Sequence, residues 1–97
     1  MRLENKVALV TGAGSGIGES IALGFSKEGA QVVCADIDLS KAEQTALKIS
    51  EDGSKSIAVQ ADVGIASDCE KQVSSTVKKF GQIDILVNNA GVGYFPF

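Results

Sequence analysis

Four short apolar runs punctuate the chain, with segments of helical spacing between them. Residues 6–11, 31–36, 56–62 and 83–88 are rich in Val, Ile and Ala and lack clean polar alternation. Runs of that kind read as strands buried on both faces, which belong in parallel sheets covered by helices. In the first intervening segment Ile17, Ile21 and Phe25 recur every four residues. Leu39, Ala42, Ala46 and Ile49 form the second stripe, and Cys69, Val73, Val77 and Phe80 the third. Each predicts a helix with one apolar face against a sheet.

Boundary residues agree with that division. Ser40 with Glu43, and Ser67 with Glu70, have the spacing of capping boxes at helix starts. Gly29, Gly53 and Gly81 follow the three helices, where a left-handed residue closes a C-terminus. Lys78 and Lys79 fall in the last turn of the third helix, where the dipole favours cations. The predicted order is β-α-β-α-β-α-β. Right-handed crossovers then give an α/β fold, a doubly wound parallel sheet of Rossmann type with strand order 3-2-1-4. The first two helices should cover one face and the third the other. Ligands of such sheets sit beyond the C-terminal strand ends, where the order reverses.

Four motifs lie at those ends. The first strand leads into Thr11-Gly12-Ala13-Gly14-Ser15-Gly16-Ile17-Gly18. Gly12 allows the sharp exit from the strand, Gly16 a close backbone approach to a pyrophosphate, and Gly18 tight packing of the helix. The free amides and dipole of the helix start favour phosphate. A ligand-free strand–helix turn would also use these glycines, and no Gly-Lys-Ser/Thr follows to make a P-loop. Asp36 ends the second strand, where a carboxylate can accept both adenosine ribose hydroxyls and would repel a 2′-phosphate. Neither Ser15 nor Ile37 offers a cation for that phosphate, so NAD is favoured over NADP. Asp62-Val63 ends the third strand: the acid can meet an adenine amino group or serve as a turn residue. Asn88-Asn89-Ala90-Gly91 ends the fourth, with carboxamides that can tie neighbouring strands or reach ribose.

Together these residues resemble the short-chain dehydrogenase/reductase family. Its signatures T-G-x-x-x-G-x-G, an acid after strand 2, D-V after strand 3 and N-N-A-G after strand 4 all stand here in order. The look is closest to bacterial-type alcohol dehydrogenases and 3-oxoacyl-carrier-protein reductases. The resemblance implies an NAD-dependent oxidoreductase moving hydride between nicotinamide and a secondary alcohol or ketone. It implies NAD contacts from Gly12, Ser15, Ile17, Asp36, Asp62, Val63, Asn89, Ala90 and Gly91, with Gly16 and Gly18 shaping the turn. It also implies a catalytic Ser and a Tyr-x-x-x-Lys downstream of N-N-A-G, and a homo-oligomer. Tyr94 follows Gly91 too soon for that Tyr, and its Lys partner would stand beyond Phe97. No catalytic residue is therefore assigned. The expectation is a truncated dinucleotide-binding part, inactive alone, with a bare fourth-strand edge and an apolar patch left by the missing half. A complete, non-catalytic NAD-binding module is the alternative, and an interaction module pairing through that edge a third.

Composition narrows the rest. A net charge of −3 without a basic run argues against nucleic acid. With no His, and with Cys34 and Cys69 far apart, zinc sites and Ser–His–Asp triads are excluded within the chain. Both cysteines read as small apolar residues in a reducing, cytoplasmic setting. No apolar run is long enough for a signal core or a membrane span.

Overall fold

A computed structural model describes residues 2–62 and 64–89. Strands β1 (Val7–Thr11), β2 (Gln31–Asp36), β3 (Ser56–Gln60) and β4 (Ile85–Val87) alternate with helices α1 (Gly16–Lys27), α2 (Leu39–Glu51) and α3 (Ala66–Phe80). All pairings are parallel, in the order β3-β2-β1-β4. The expected topology is therefore the observed one.

The sheet divides two cores. Val10, Val32 and Cys34 pack with Ala22 of α1 and with Ala42, Ala46 and Ile49 of α2. Leu9, Val33, Ala35 and Val59 point the other way, toward Phe80 at the end of α3. Alternate residues of each strand thus serve opposite faces, as the pleat requires. That double burial is why the strand sequences show no polar alternation.

Several local expectations need correction. Neither Ser40 nor Ser67 caps a helix. Asp38 caps α2, its carboxylate accepting the Lys41 N–H at 3.3 Å. Ile65 occupies the cap position of α3 and makes no side-chain cap bond. The reason is that α2 and α3 start one residue before these serines, which places both in the first turn. Ile17 is 72% exposed because it sits at the start of α1, while Gly18, Ala22 and Ser26 form the buried face. In α3, Val73 and Val77 are 44% and 45% exposed, and Gln72 and Thr76 are buried instead. Thr76 can be buried because its hydroxyl donates to the Gln72 carbonyl at 2.8 Å. The three glycine C-termini hold: Gly29, Gly53 and Gly81 have φ of 99°, 90° and 84°.

Strand β4 is shorter than its apolar run. The Asp84 N–H donates to the Val7 carbonyl at 2.8 Å, and Asp84 Oδ2 accepts the Val7 N–H at 2.8 Å. A side chain thus replaces one rung of the ladder. Strand β3 ends early as well, since Asp62 turns into the approach to α3.

Candidate functional site: the C-terminal rim of the sheet

The rim is built around the turn between β1 and α1. Gly12 and Gly16 adopt φ of 63° and 58°, a region that L side chains rarely enter. A Cβ on Gly16 would meet nothing within 4 Å, so the backbone there faces open space. Ser15 is the N-cap of α1 but makes no side-chain cap bond. The opening turn of α1 therefore has no side-chain acceptor from its own cap, and a phosphate could take that place. Gly18 is required for a different reason. Its Cβ would run into the Gly12 carbonyl oxygen and would lie 2.7 Å from the Asn89 amide nitrogen. Gly12, Gly18 and Asn89 are thereby brought into one cluster.

Asp36 lies beside the same turn. Its Oδ2 accepts the Gly14 N–H at 2.9 Å, and its Oδ1 accepts the Asp38 N–H at 2.9 Å. A carboxylate can accept about four hydrogen bonds, so two amides leave capacity for ribose hydroxyls. Ile37 follows as an exposed apolar surface. Lys41 also reaches this corner: a Cβ on Gly14 would meet the Lys41 Cβ at 2.5 Å and Asp36 Oδ2 at 2.8 Å. The Lys41–Gly14 contact joins residues on different elements, so no sequence spacing signals it.

The remaining rim residues are locally tied. Asp62 Oδ1 accepts the Gly64 N–H at 2.8 Å, and the Asp62 N–H donates to Asp68 Oδ2 at 2.9 Å. Asp62 is thus also a turn residue leading into α3. The Thr11 hydroxyl, buried at the end of β1, donates to the Val87 carbonyl at 3.2 Å and lies 3.4 Å from Asn88 Oδ1. Asn88 thus lies at the β1–β4 junction. Val63, Ala90, Gly91 and Tyr94 lie outside the described residues.

Both cysteines are free thiols. Cys34 is buried on β2, and burial pushes its pKa up to about 11 despite a nearby Ser56 hydroxyl at 3.6 Å. Among the described residues, no three His, Cys, Asp or Glu side chains converge as a metal site would require. No helix among them is long and apolar enough to cross a membrane.

A glycine turn opening a helix, beside an acid at the next strand end, is the arrangement seen at the crevice of doubly wound α/β folds. A family profile described as short chain dehydrogenase matches residues 6–97. The chain belongs to that family. It is 44% identical over 92 residues to (2S)-[(R)-hydroxy(phenyl)methyl]succinyl-CoA dehydrogenase subunit BbsD of Thauera aromatica, covering 95% of this chain and 37% of that one. It is 47% identical over 92 residues to galactitol 2-dehydrogenase of Agrobacterium fabrum, covering 95% and 35%. The crystal structure of hydroxysteroid dehydrogenase from Escherichia coli superposes with a TM-score of 0.90 at 39% identity, over 93% of this chain and 38% of that one. The chain thus spans little more than a third of the length of these relatives.

Proposed function

We propose that residues 1–97 are the NAD-binding part of a short-chain dehydrogenase/reductase that oxidises a secondary alcohol or reduces a ketone. The relatives support the reaction class, each being a dehydrogenase. The cofactor assignment rests on one observation: the Asp36 carboxylate stands against the Gly14 amide, inside the angle between the glycine turn and α2. In this reading the amides opening α1 hold the pyrophosphate, with Gly12, Ser15, Gly16 and Gly18 shaping their approach. Ile17 offers its exposed side chain to the cofactor. Asp36 accepts the ribose hydroxyls and repels a 2′-phosphate. Asp62 and Val63 border the adenine. Asn89, Ala90 and Gly91 line the crossing toward the nicotinamide. When bound, NAD supplies the hydride acceptor; these residues bind and orient it.

The catalytic Ser, Tyr and Lys belong, in this reading, to sequence beyond Phe97, and residues 1–97 alone are inactive. The two free thiols suit a reducing, cytoplasmic setting. The partner is a small alcohol or ketone rather than nucleic acid, and the full-length protein is a homo-oligomer.

Titration of the folded protein with NAD and NADP tests the proposal. Saturable NAD binding, tighter than NADP binding, is the expected result. A folded sample that ignores both at millimolar concentration, or that prefers NADP with Asp36 intact, overturns it.

A further inference from the structure

Thr45 lies in the middle of α2 and is fully buried. Its hydroxyl donates to the carbonyl of Ala13 in the glycine turn at 2.9 Å. An alternative acceptor in its own helix, the Lys41 carbonyl, is more distant at 3.4 Å. Ala13 is itself buried, and its N–H donates to the Ala35 carbonyl of β2 at 3.0 Å. The peptide groups flanking Ala13 are thus held from two sides. The next amide, that of Gly14, donates to Asp36 Oδ2, while Asp36 Oδ1 accepts the Asp38 N–H. Asp38 caps α2, the helix that carries Thr45. The bonds close a circuit from α2 through Thr45 to the turn, on to Asp36, and back through Asp38 to α2.

We infer that Thr45 is a positioning residue for the dinucleotide site. It latches the glycine turn to α2, so that the pyrophosphate amides and the ribose-binding carboxylate are set as one unit before ligand arrives. Gly14 is the complementary part on the turn. Without a side chain it lets α2 seat closely, where a Cβ would meet Lys41 and Asp36. The inference rests on the NAD-binding reading for its ligand, but the latch itself is a property of the free protein. Removing the Thr45 donor leaves a buried carbonyl without its partner. The turn then spends part of its time displaced, and apparent affinity falls in proportion to the fraction still in place.

The test compares Thr45→Val, Thr45→Ser and Thr76→Val in the full chain. Thr76 is an equally buried threonine whose hydroxyl serves only its own helix. Calorimetric titration with NAD and with ADP-ribose should show Thr45→Val weaker by roughly three- to tenfold for both ligands. Thr45→Ser should recover most of the loss, and Thr76→Val should leave affinity unchanged. In the ligand-free protein, amide hydrogen exchange at Gly14 should speed up in Thr45→Val and not in Thr76→Val. Should Thr45→Val fail to fold, Gly14→Ala loosens the same latch from the turn side and must weaken both ligands. Unchanged affinity and unchanged Gly14 exchange overturn the inference, as does an equal loss in Thr76→Val. If the parent protein binds no dinucleotide, the NAD reading fails. The exchange measurement then still decides whether the latch exists.

Discussion

In the proposed cofactor site the Asp36 carboxylate and the stem of Lys41 meet at the Gly14 corner of the rim, so a 2′-phosphate placed there would meet the acid with a lysine on the neighbouring helix. Asp36 is held by two backbone amides at 2.9 Å each, so it cannot swing aside without giving up both. Lys41 has no such fixed role for its charge; its stem covers Gly14. At an effective dielectric of about 20, unit charges about 4 Å apart interact by about 4 kcal/mol, and salt at an exposed rim reduces this to one or two. Asp36→Ala should therefore shift the ratio of NADP to NAD affinity by about tenfold or more toward NADP. Asp36→Ala/Lys41→Ala tests whether the Lys41 charge supplies the attraction in that variant, the expected outcome being loss of most of the gain. Paired titrations of the two variants check this; an equal preference in both would clear Lys41 of any part. A second residue-scale case is Gln72, whose Oε1 is buried in α3 without a hydrogen-bond partner. An unsatisfied buried carbonyl costs about 1–3 kcal/mol. Gln72→Leu should stabilise the protein by about that amount in denaturant unfolding, with dinucleotide affinity unchanged.

The elements themselves were largely legible in the sequence, because the hydrophobic period changes each time a strand gives way to a helix. Which face a helix buries was less so. In α3, residues 69, 73, 77 and 80 and residues 69, 72, 76 and 80 both satisfy helical spacing, and hydrophobicity alone chose the wrong pair. Gln72 and Thr76 are buried by tertiary position, with the hydroxyl satisfied inside the helix. The glycine turn, Asp36 and the asparagines could be placed because strand ends in this topology converge. Thr45 and Lys41 could not, because their contacts run between α2 and a turn some thirty residues earlier. Asp84 was also hidden, since it reads as one polar interruption in an apolar run. Its pKa is held below the usual carboxylate value of 3.8, first by the Val7 N–H and then by Gln82. A group depressed in the folded state contributes stability above its unfolded pKa and loses it as pH falls through the folded value. The stability difference between the parent and Asp84→Ala should thus stay constant above about pH 5 and shrink progressively below pH 4. Urea unfolding across that range measures it, and a gap that widens on acidification would contradict the assignment.

On the scale of the whole molecule the two faces of the sheet are unequally covered. Helices α1 and α2 both pack on one face, and α3 alone serves the other. Leu86 of β4 is in register with Leu9, so it projects to the α3 side. Leu9 is buried there while Leu86 is 60% exposed, because α3 packs toward β1, β2 and β3 rather than β4. The exposed Val73 and Val77 add apolar surface to α3 itself. Since the chain spans little more than a third of its relatives' length, residues 1–97 expressed alone would present this surface to water. Contiguous exposed apolar surface drives association, at about 25 cal/mol per Å² removed from water. Residues 1–97 expressed alone should therefore self-associate as concentration rises. Leu86→Lys should reduce that association, since it charges a side chain the fold leaves exposed. Val87→Lys should instead destabilise the fold, because Val87 packs against the core beneath α1 and α2. Sedimentation velocity on the parent and both variants separates the two effects. A parent that stays monomeric would show that the apolar surface on the α3 side is too dispersed to act as an interface.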